Sequence, residues 1–341
     1  FFRWRRYKEN KKIFYKRGSE SLKMLNTKMI EESMELLTRS NTCSTYKMGV
    51  DGEDGTVLYY SVCPGISVMY NNFHIEKGPD RVIRDSNSFS IHYCIEGRIE
   101  AEVSSGEYLY LGAGDVLLEK LDSKYRYCSF PTKHYHGITI TFSPDEMDEN
   151  LNTLLLNFSI DINRIKKIFL SKYVPFVIHE DVIINHIFEE LYKIPELLKY
   201  DYLKLKVIEL LMLLRVVENK NGNYKNQYFY KSQIEKVKDI KEFITNNIEE
   251  HFTMEELSQK YDIPLSTLKK CFKAVYGEPI YQFIRNYRMN IASTLLIKTD
   301  DSIIVIAGKV GYTNSSKFTE AFKSVIGKTP TEYRKTVIQT E

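Results

Sequence analysis

The sequence predicts an α+β chain, with an N-terminal β-barrel or sandwich, a helical segment behind it, and a separate all-α domain at the C-terminus. Three observations lead there. Short β-rich runs alternate with turn residues from Thr56 to about Phe142, the pattern of a small all-β unit. Beyond Phe142 the apolar spacing changes to a helical period. From Ile234 to Arg334 everything reads as helix, and that stretch contains an internal repeat. At 341 residues the chain exceeds one average domain, and a hydrophobic fraction of 43% is enough for packed cores.

The net charge of +3 excludes little, because a nucleic-acid-binding protein can be nearly neutral if its basic residues gather on one face. Cys43, Cys63, Cys94, Cys128 and Cys271 are scattered, odd in number and never paired as C-x-x-C, so they read as reduced thiols in a cytoplasmic protein. No run approaches the roughly 18 to 20 apolar residues of a membrane span, and no membrane partner is expected. The N-terminus lacks the apolar stretch of a secretory signal. Residues 1–23 carry nine Lys or Arg against Glu9 and Glu20, with no Met before Met24. Residues 1–40 are therefore read as a basic N-terminal extension. It is either an arm for nucleic acid or an anionic membrane surface, or a segment upstream of the native start, the second being preferred.

The expected strands are Val57–Val62, Ile66–Tyr70, Ser88–Ile95, Arg98–Val103, Glu107–Leu111, Asp115–Lys120 and Gly137–Phe142. Glu96-Gly97 and Ser104-Ser105-Gly106 are expected as hairpin turns. Phe89, Ile91, Tyr93 and Ile95, then Ile99, Ala101 and Val103, fall on alternate positions and imply one buried and one wetter face. Helices follow near 151–158, 161–169, 182–198 and 201–218, the last with Asp201 as N-cap. Its stripe of Leu203, Val207, Leu210, Leu211, Leu214 and Val217 suits a core or a dimer seam equally. The polar run from Asn219 to Gln227 is the best linker in the chain. The domains expected are thus 41–145 (β), 146–218 (helical, dimerising), 219–231 (linker) and 232–341.

Within the last domain, Phe272-Lys273 and Gly277 recur fifty residues on as Phe322-Lys323 and Gly327. Leu257-Ser258 and Ile263 are matched by Ile306-Ala307 and Tyr312. Each copy has the anatomy of a helix-turn-helix. In the first, Thr253 and Glu256 form a capping box before a short helix, Asp262-Ile263-Pro264 turns, and a second helix runs to Tyr276. In the second, Ser302 caps a helix that Gly311 ends, and Asn314 or Ser315 opens the next. The outward residues near the start of each second helix are the candidate DNA contacts: Ser266, Thr267, Lys269, Lys270 and Lys273, then Ser315, Ser316, Lys317, Thr319 and Lys323. Hydroxyls suit phosphates or base edges, and lysines suit phosphates and guanine acceptors. The helix expected over Ile280–Thr299 is a spacer of roughly 30 Å, near the ~34 Å between successive major-groove faces.

The stretch Arg288, Ala292, Leu295-Leu296, Ile303, Ile306-Ala307, Val310-Gly311-Tyr312, Phe318, Phe322-Lys323, Gly327, Thr329-Pro330 and Tyr333-Arg334 resembles the signature of the AraC family of transcription regulators. The β-rich part, with Gly112-Ala113-Gly114-Asp115 between strands, resembles the cupin-like sensory domain of many members. The resemblance implies sequence-specific binding of double-stranded DNA, a homodimer joined through the N-terminal part, and a small-molecule effector held there. RNA polymerase is a further partner if the protein activates. Lys317 stands where the family commonly has an aromatic, and Glu320 where it often has a basic residue.

The candidate effector residues are Tyr93, Glu119, His134 and His136. His134 and His136 at i, i+2 share one strand face, as in metal-dependent cupin enzymes, with His74, His92 and Glu119 as further candidate ligands. That is the competing reading. The one preferred is a regulator with no catalytic residues, no metal and no cofactor, since no phosphate-binding loop, nucleophile elbow or Cys/His dyad is visible. A second alternative is a DNA-binding regulator without an effector.

Overall fold

A computed structural model describes residues 34–48, 54–78, 87–103, 106–121, 127–171, 175–179, 181–219 and 227–338. The basic stretch 1–23 lies outside them. Twelve strands are described: β1 (Glu35–Arg39), β2 (Cys43–Met48), β3 (Asp54–Cys63), β4 (Ile66–His74), β5 (Phe89–Gly97), β6 (Ile99–Glu102), β7 (Glu107–Leu111), β8 (Val116–Lys120), β9 (Tyr127–Ser129), β10 (Tyr135–Phe142), β11 (Phe176–Ile178) and β12 (Phe229–Tyr230). They form an eight-stranded sheet in the order β1-β2-β3-β4-β10-β5-β8-β11 and a four-stranded sheet in the order β12-β7-β6-β9.

Of the two architectures expected, sandwich or barrel, the structure takes the sandwich, and the barrel does not close. The reason lies at Glu96-Gly97, expected as a hairpin turn. Strand β5 pairs with β10 and β8, whereas β6 pairs with β7 and β9, so the chain changes sheets there. Gly97 has φ +81°, and an added Cβ would lie 1.8 Å from the His134 carbonyl oxygen, so only glycine can make this corner. Further along, the backbone bonds Val103 N–H to Glu107 O and Gly106 N–H to Val103 O close the expected β6–β7 hairpin, whose Ser104 and Ser105 lie outside the described residues.

The large sheet is buried on both faces. Val57, Tyr59, Phe73, Cys94, Leu117 and Tyr135 meet Ile99, Val103, Leu109 and Leu111 of the small sheet. The opposite face, with Val68, Tyr70, Ile91, Tyr93, Leu118 and Ile138, is covered by helices. The wetter face expected of β5 is wetter only in part, since Ser90 and Cys94 are fully buried beneath the small sheet while His92 is half-buried and Glu96 exposed.

The covering helices are α1 (Glu149–Asn157), α2 (Ile162–Phe169), α3 (Val182–Lys193) and α4 (Lys199–Asn219), the first three capped by Asp148, Asp161 and Asp181. The single helix expected over 182–198 breaks after Lys193, since Pro195 disfavours helical backbone at Ile194, which is extended (φ −66°, ψ 129°). Asp201 is not the cap of α4 but sits in its first turn, bonded to Lys204 at 3.1 Å. The stripe Leu203, Val207, Leu210, Leu211, Leu214 and Val217 is core, each residue at most 2% exposed. Of the polar run after it, residues 220–226 lie outside the described residues.

The C-terminal helices are α5 (Lys231–Asn246), α6 (Met254–Lys260), α7 (Leu265–Tyr276), α8 (Ile280–Lys298), α9 (Ile303–Lys309), α10 (Ser315–Ile326) and α11 (Pro330–Ile338). Two cores divide them. One is built from α5, α6 and α7 around Val237, Ile240, Leu268, Phe272 and Val275. The other joins α8, α9 and α10 around Met289, Ala292, Ile306, Phe318 and Phe322.

Candidate nucleic-acid interface

Both helix-turn-helix units form as their caps dictate. Thr253 Oγ1 accepts the Glu256 N–H at 3.2 Å and Glu256 Oε2 accepts the Thr253 N–H at 2.8 Å, the reciprocal capping box. The same pair of bonds recurs between Thr329 and Glu332 before α11. In the first unit's turn Asp262 adopts φ 47°, and Ser258 Oγ donates to the Ile263 carbonyl at 2.6 Å. In the second, Gly311 has φ +78° and Asn314 caps α10 by accepting from the Ser316 and Lys317 N–H groups. A Cβ on Gly311 would come within 2.9 Å of the Arg288 guanidinium and of the Glu249 carbonyl oxygen. The turn is therefore tied to α8, where buried Arg288 donates to the Glu250 carbonyl at 2.6 Å.

With Leu268, Phe272 and Val275 in the core, α7 turns Ser266, Lys269, Lys270 and Lys273 outward, and Thr267 is half-buried beside them. Helix α10 buries Phe318 and Phe322 and exposes Ser315, Ser316, Lys317, Glu320 and Lys323, with Thr319 half-buried and donating to the Ser315 carbonyl. None of these five lysines is held in an ion pair among the described residues. Lys236, Lys238 and Lys309 of neighbouring helices are so held, by Asp262, Glu100 and Asp301. The 19 residues of α8 give a rod of about 28 Å between the units, braced at its far end by Arg334, which donates to the Leu296 and Thr299 carbonyls.

The first unit also rests on the β domain. Tyr108 and Tyr110 of β7 join the core of α5 to α7. The fully buried Glu100 carboxylate accepts from Tyr110 OH at 2.5 Å, Ser129 Oγ at 2.9 Å and Lys238 Nζ at 2.7 Å. The Arg98 guanidinium lies against Gly277, the left-handed residue that ends α7. Sequence reasoning passed over Arg98, Glu100 and Lys238, and no periodicity or spacing signals contacts between elements so far apart in the chain.

The four candidate effector residues are not brought together. Tyr93 stacks on Phe188 of α3 on the helix-covered face, with centroids 4.4 Å apart. Glu119 lies between the sheets, 2.9 Å from His92 Nε2. His92 further contacts Ser90 Oγ at 2.7 Å and Thr139 Oγ1 at 3.1 Å, and Asn71 donates to Thr139 at 2.9 Å. His134 and His136 sit elsewhere, beside His74, and of the five candidate metal ligands these three converge as a group while His92 and Glu119 meet only as a pair. Partial burial and the neighbouring His134 push the His136 pKa down, against the pull of Glu96.

Residues 257–336 match the family model of a helix-turn-helix domain. The chain is 27% identical over 130 residues to the HTH-type transcriptional activator RhaR of Mannheimia succiniciproducens, an alignment covering 38% of this chain and 45% of that one. The chain thus matches less than half of that relative's length. It is 26% identical over 259 residues to the Msm operon regulatory protein of Streptococcus mutans, covering 75% of this chain and 86% of the other. Among solved structures it is similar to the C-terminal domain of the two-component response regulator yesN from Fusobacterium nucleatum, at 31% identity and a TM-score of 0.28, covering 28% of this chain and 95% of that one. No helix among the described residues is long and apolar enough to cross a membrane. These relatives carry the names of transcriptional or operon regulators, and residues 257–336 of this chain form a helix-turn-helix domain.

Proposed function

We propose that the protein is a sequence-specific, DNA-binding transcription regulator and not an enzyme. The observation that carries this reading is the pair of matched helix-turn-helix units, each presenting hydroxyls and uncompensated lysines from the first turns of its second helix. A recognition helix enters the major groove by that end, and α8 has a length suited to two successive grooves on one side of the duplex. The β domain is the sensor. Its effector is a small polar molecule that engages the polar cluster of Asn71, Ser90, His92, Glu119 and Thr139 between the sheets in exchange for the hydrogen bonds these residues make to one another. Binding there acts through Glu100, Lys238 and Arg98, which join the small sheet to the first unit. The protein works in the cytoplasm as a homodimer. Tyr202, Leu205, Met212 and Val216 support this, because they leave an apolar stripe on the outer face of α4.

Selection of binding sites from random duplexes by the full chain, followed by titration of the winning site at several salt concentrations, tests the assignment. Expected are an enriched motif with two half-elements about one helical turn apart and an affinity that falls linearly in log–log with salt. No enriched motif, or an affinity flat between about 50 and 300 mM salt, would overturn it.

A further inference from the structure

The cluster of His74, His134 and His136 has no part in DNA binding and lies apart from the space between the sheets. In β4 and β10, Phe73 and Tyr135 point into the core shared with the small sheet. Strand alternation therefore turns His74, His134 and His136 to the opposite face, where solvent reaches them. The register sets His136 opposite both Asn72 and Glu96, so the end of β4, the start of β10 and the corner after β5 meet at one place. Each histidine offers one nitrogen, and the three ligand atoms lie within 4.8 Å of one another.

Hydrogen bonds fix two of the rings. With Asn72 Oδ1 accepting from His136 Nε2, the nitrogen left for a metal is Nδ1, which also lies 3.5 Å from Glu96 Oε2. Glu96 Oε2, 3.2 Å from His134 Nε2, likewise leaves the lone pair of His134 on Nδ1. That Nδ1 faces the Nδ1 of His74 at 3.3 Å. Two imidazole nitrogens bound at about 2.0–2.1 Å to one tetrahedral ion would be roughly 3.3–3.4 Å apart. A metal-binding histidine commonly donates its other N–H to a carboxylate or an amide oxygen, the arrangement Glu96 and Asn72 supply.

We propose that His74, His134 and His136 bind one divalent transition-metal ion of the zinc class through their imidazole nitrogens, with Glu96 and Asn72 orienting the rings and water as fourth ligand. Imidazole donors without a thiolate suit Zn, Ni, Cu or Fe, and the 3.3 Å between the His74 and His134 nitrogens matches one edge of a tetrahedral site, as zinc prefers. The ion would tie three chain segments together on the outer face of the large sheet.

The test uses the untagged full chain stripped by chelator, titrated with Zn(II) by calorimetry and with Co(II) by visible absorption. Expected are one equivalent bound and cobalt bands of a four-coordinate nitrogen and oxygen site without thiolate charge transfer. Affinity should fall at least tenfold in His134→Gln and His136→Gln and about tenfold in Glu96→Gln, while exposed His186→Gln binds as the parent does. His74 is exposed at the end of its strand, so His74→Gln probes the site with the core left intact. Absence of stoichiometric binding, full affinity in His74→Gln, or a thiolate signature with cobalt would each overturn the proposal.

Discussion

On the first recognition helix Lys269 and Lys270 stand exposed with no carboxylate on the same face, whereas on the second Glu320 is exposed beside Thr319 and Lys323. A carboxylate near phosphates is repelled unless it accepts from cytosine or steadies a neighbouring lysine. The first helix should therefore read bases more strictly than the second. Lys269→Ala or Lys270→Ala is expected to cost about 1–3 kcal/mol and relax preference at one position, Lys323→Ala to weaken all sequences alike, and Glu320→Ala to strengthen non-specific binding. Site selection with each variant at fixed salt decides it. Unchanged preference in both first-helix variants, with altered preference in Lys323→Ala, would reverse the assignment. These surface residues were legible because helical period alone separates them from Phe272 and Phe322. The partners of His92 and His134 were not legible, since strand register decides which face each meets.

Among the elements, α6 shows how a local motif sets stability. Hydrogen bonding from the Thr253 backbone N–H, then from its side chain, holds the Glu256 carboxyl below its ordinary pKa. A depressed folded pKa means that the stabilisation is complete above the unfolded value of about 4.3 and lost as pH falls through the folded value. Thr253→Ala should cost about 1 kcal/mol at neutral pH. Thermal melts of Glu256→Ala and the parent should differ at pH 7 and converge as the pH falls below the lowered folded pKa. A gap that stays constant with pH would show that the charge-assisted bond contributes nothing. The capping box, the glycine end of the first helix in the second unit and both second helices were readable because such signals are local in sequence. The break after Lys193 was missed although Pro195 announces it, because the apolar spacing continues across it. Strands β1, β2, β9, β11 and β12 were not expected: β1 and β2 lie before the β-rich run that starts at Thr56, and the other three have at most three residues each and exist only through their partners.

For the molecule as a whole, the two stripes of α4 have opposite fates. Leu210 and its neighbours are core, and Leu205, 61% exposed, lies on the other side with Met212. Leu205→Asp combined with Met212→Asp should give folded monomers by sedimentation and circular dichroism, whereas Leu210→Asp should unfold the chain by burying an unpaired charge. A doubly substituted protein that remains dimeric would place the seam elsewhere.

Spacing within about fifty residues was enough to specify the α+β composition, the strand and helix alternation, the repeat and the outward lysines. That the barrel stays open as two sheets, that the large sheet is buried on both faces, and which candidate histidines meet are set by long-range packing. The same packing has Glu100 and Arg98 of the β domain hold the first recognition unit. These depend on contacts across as many as 138 and more residues, and Gly97 sets them by sending β6 to another sheet, a choice that neither propensity nor periodicity encodes.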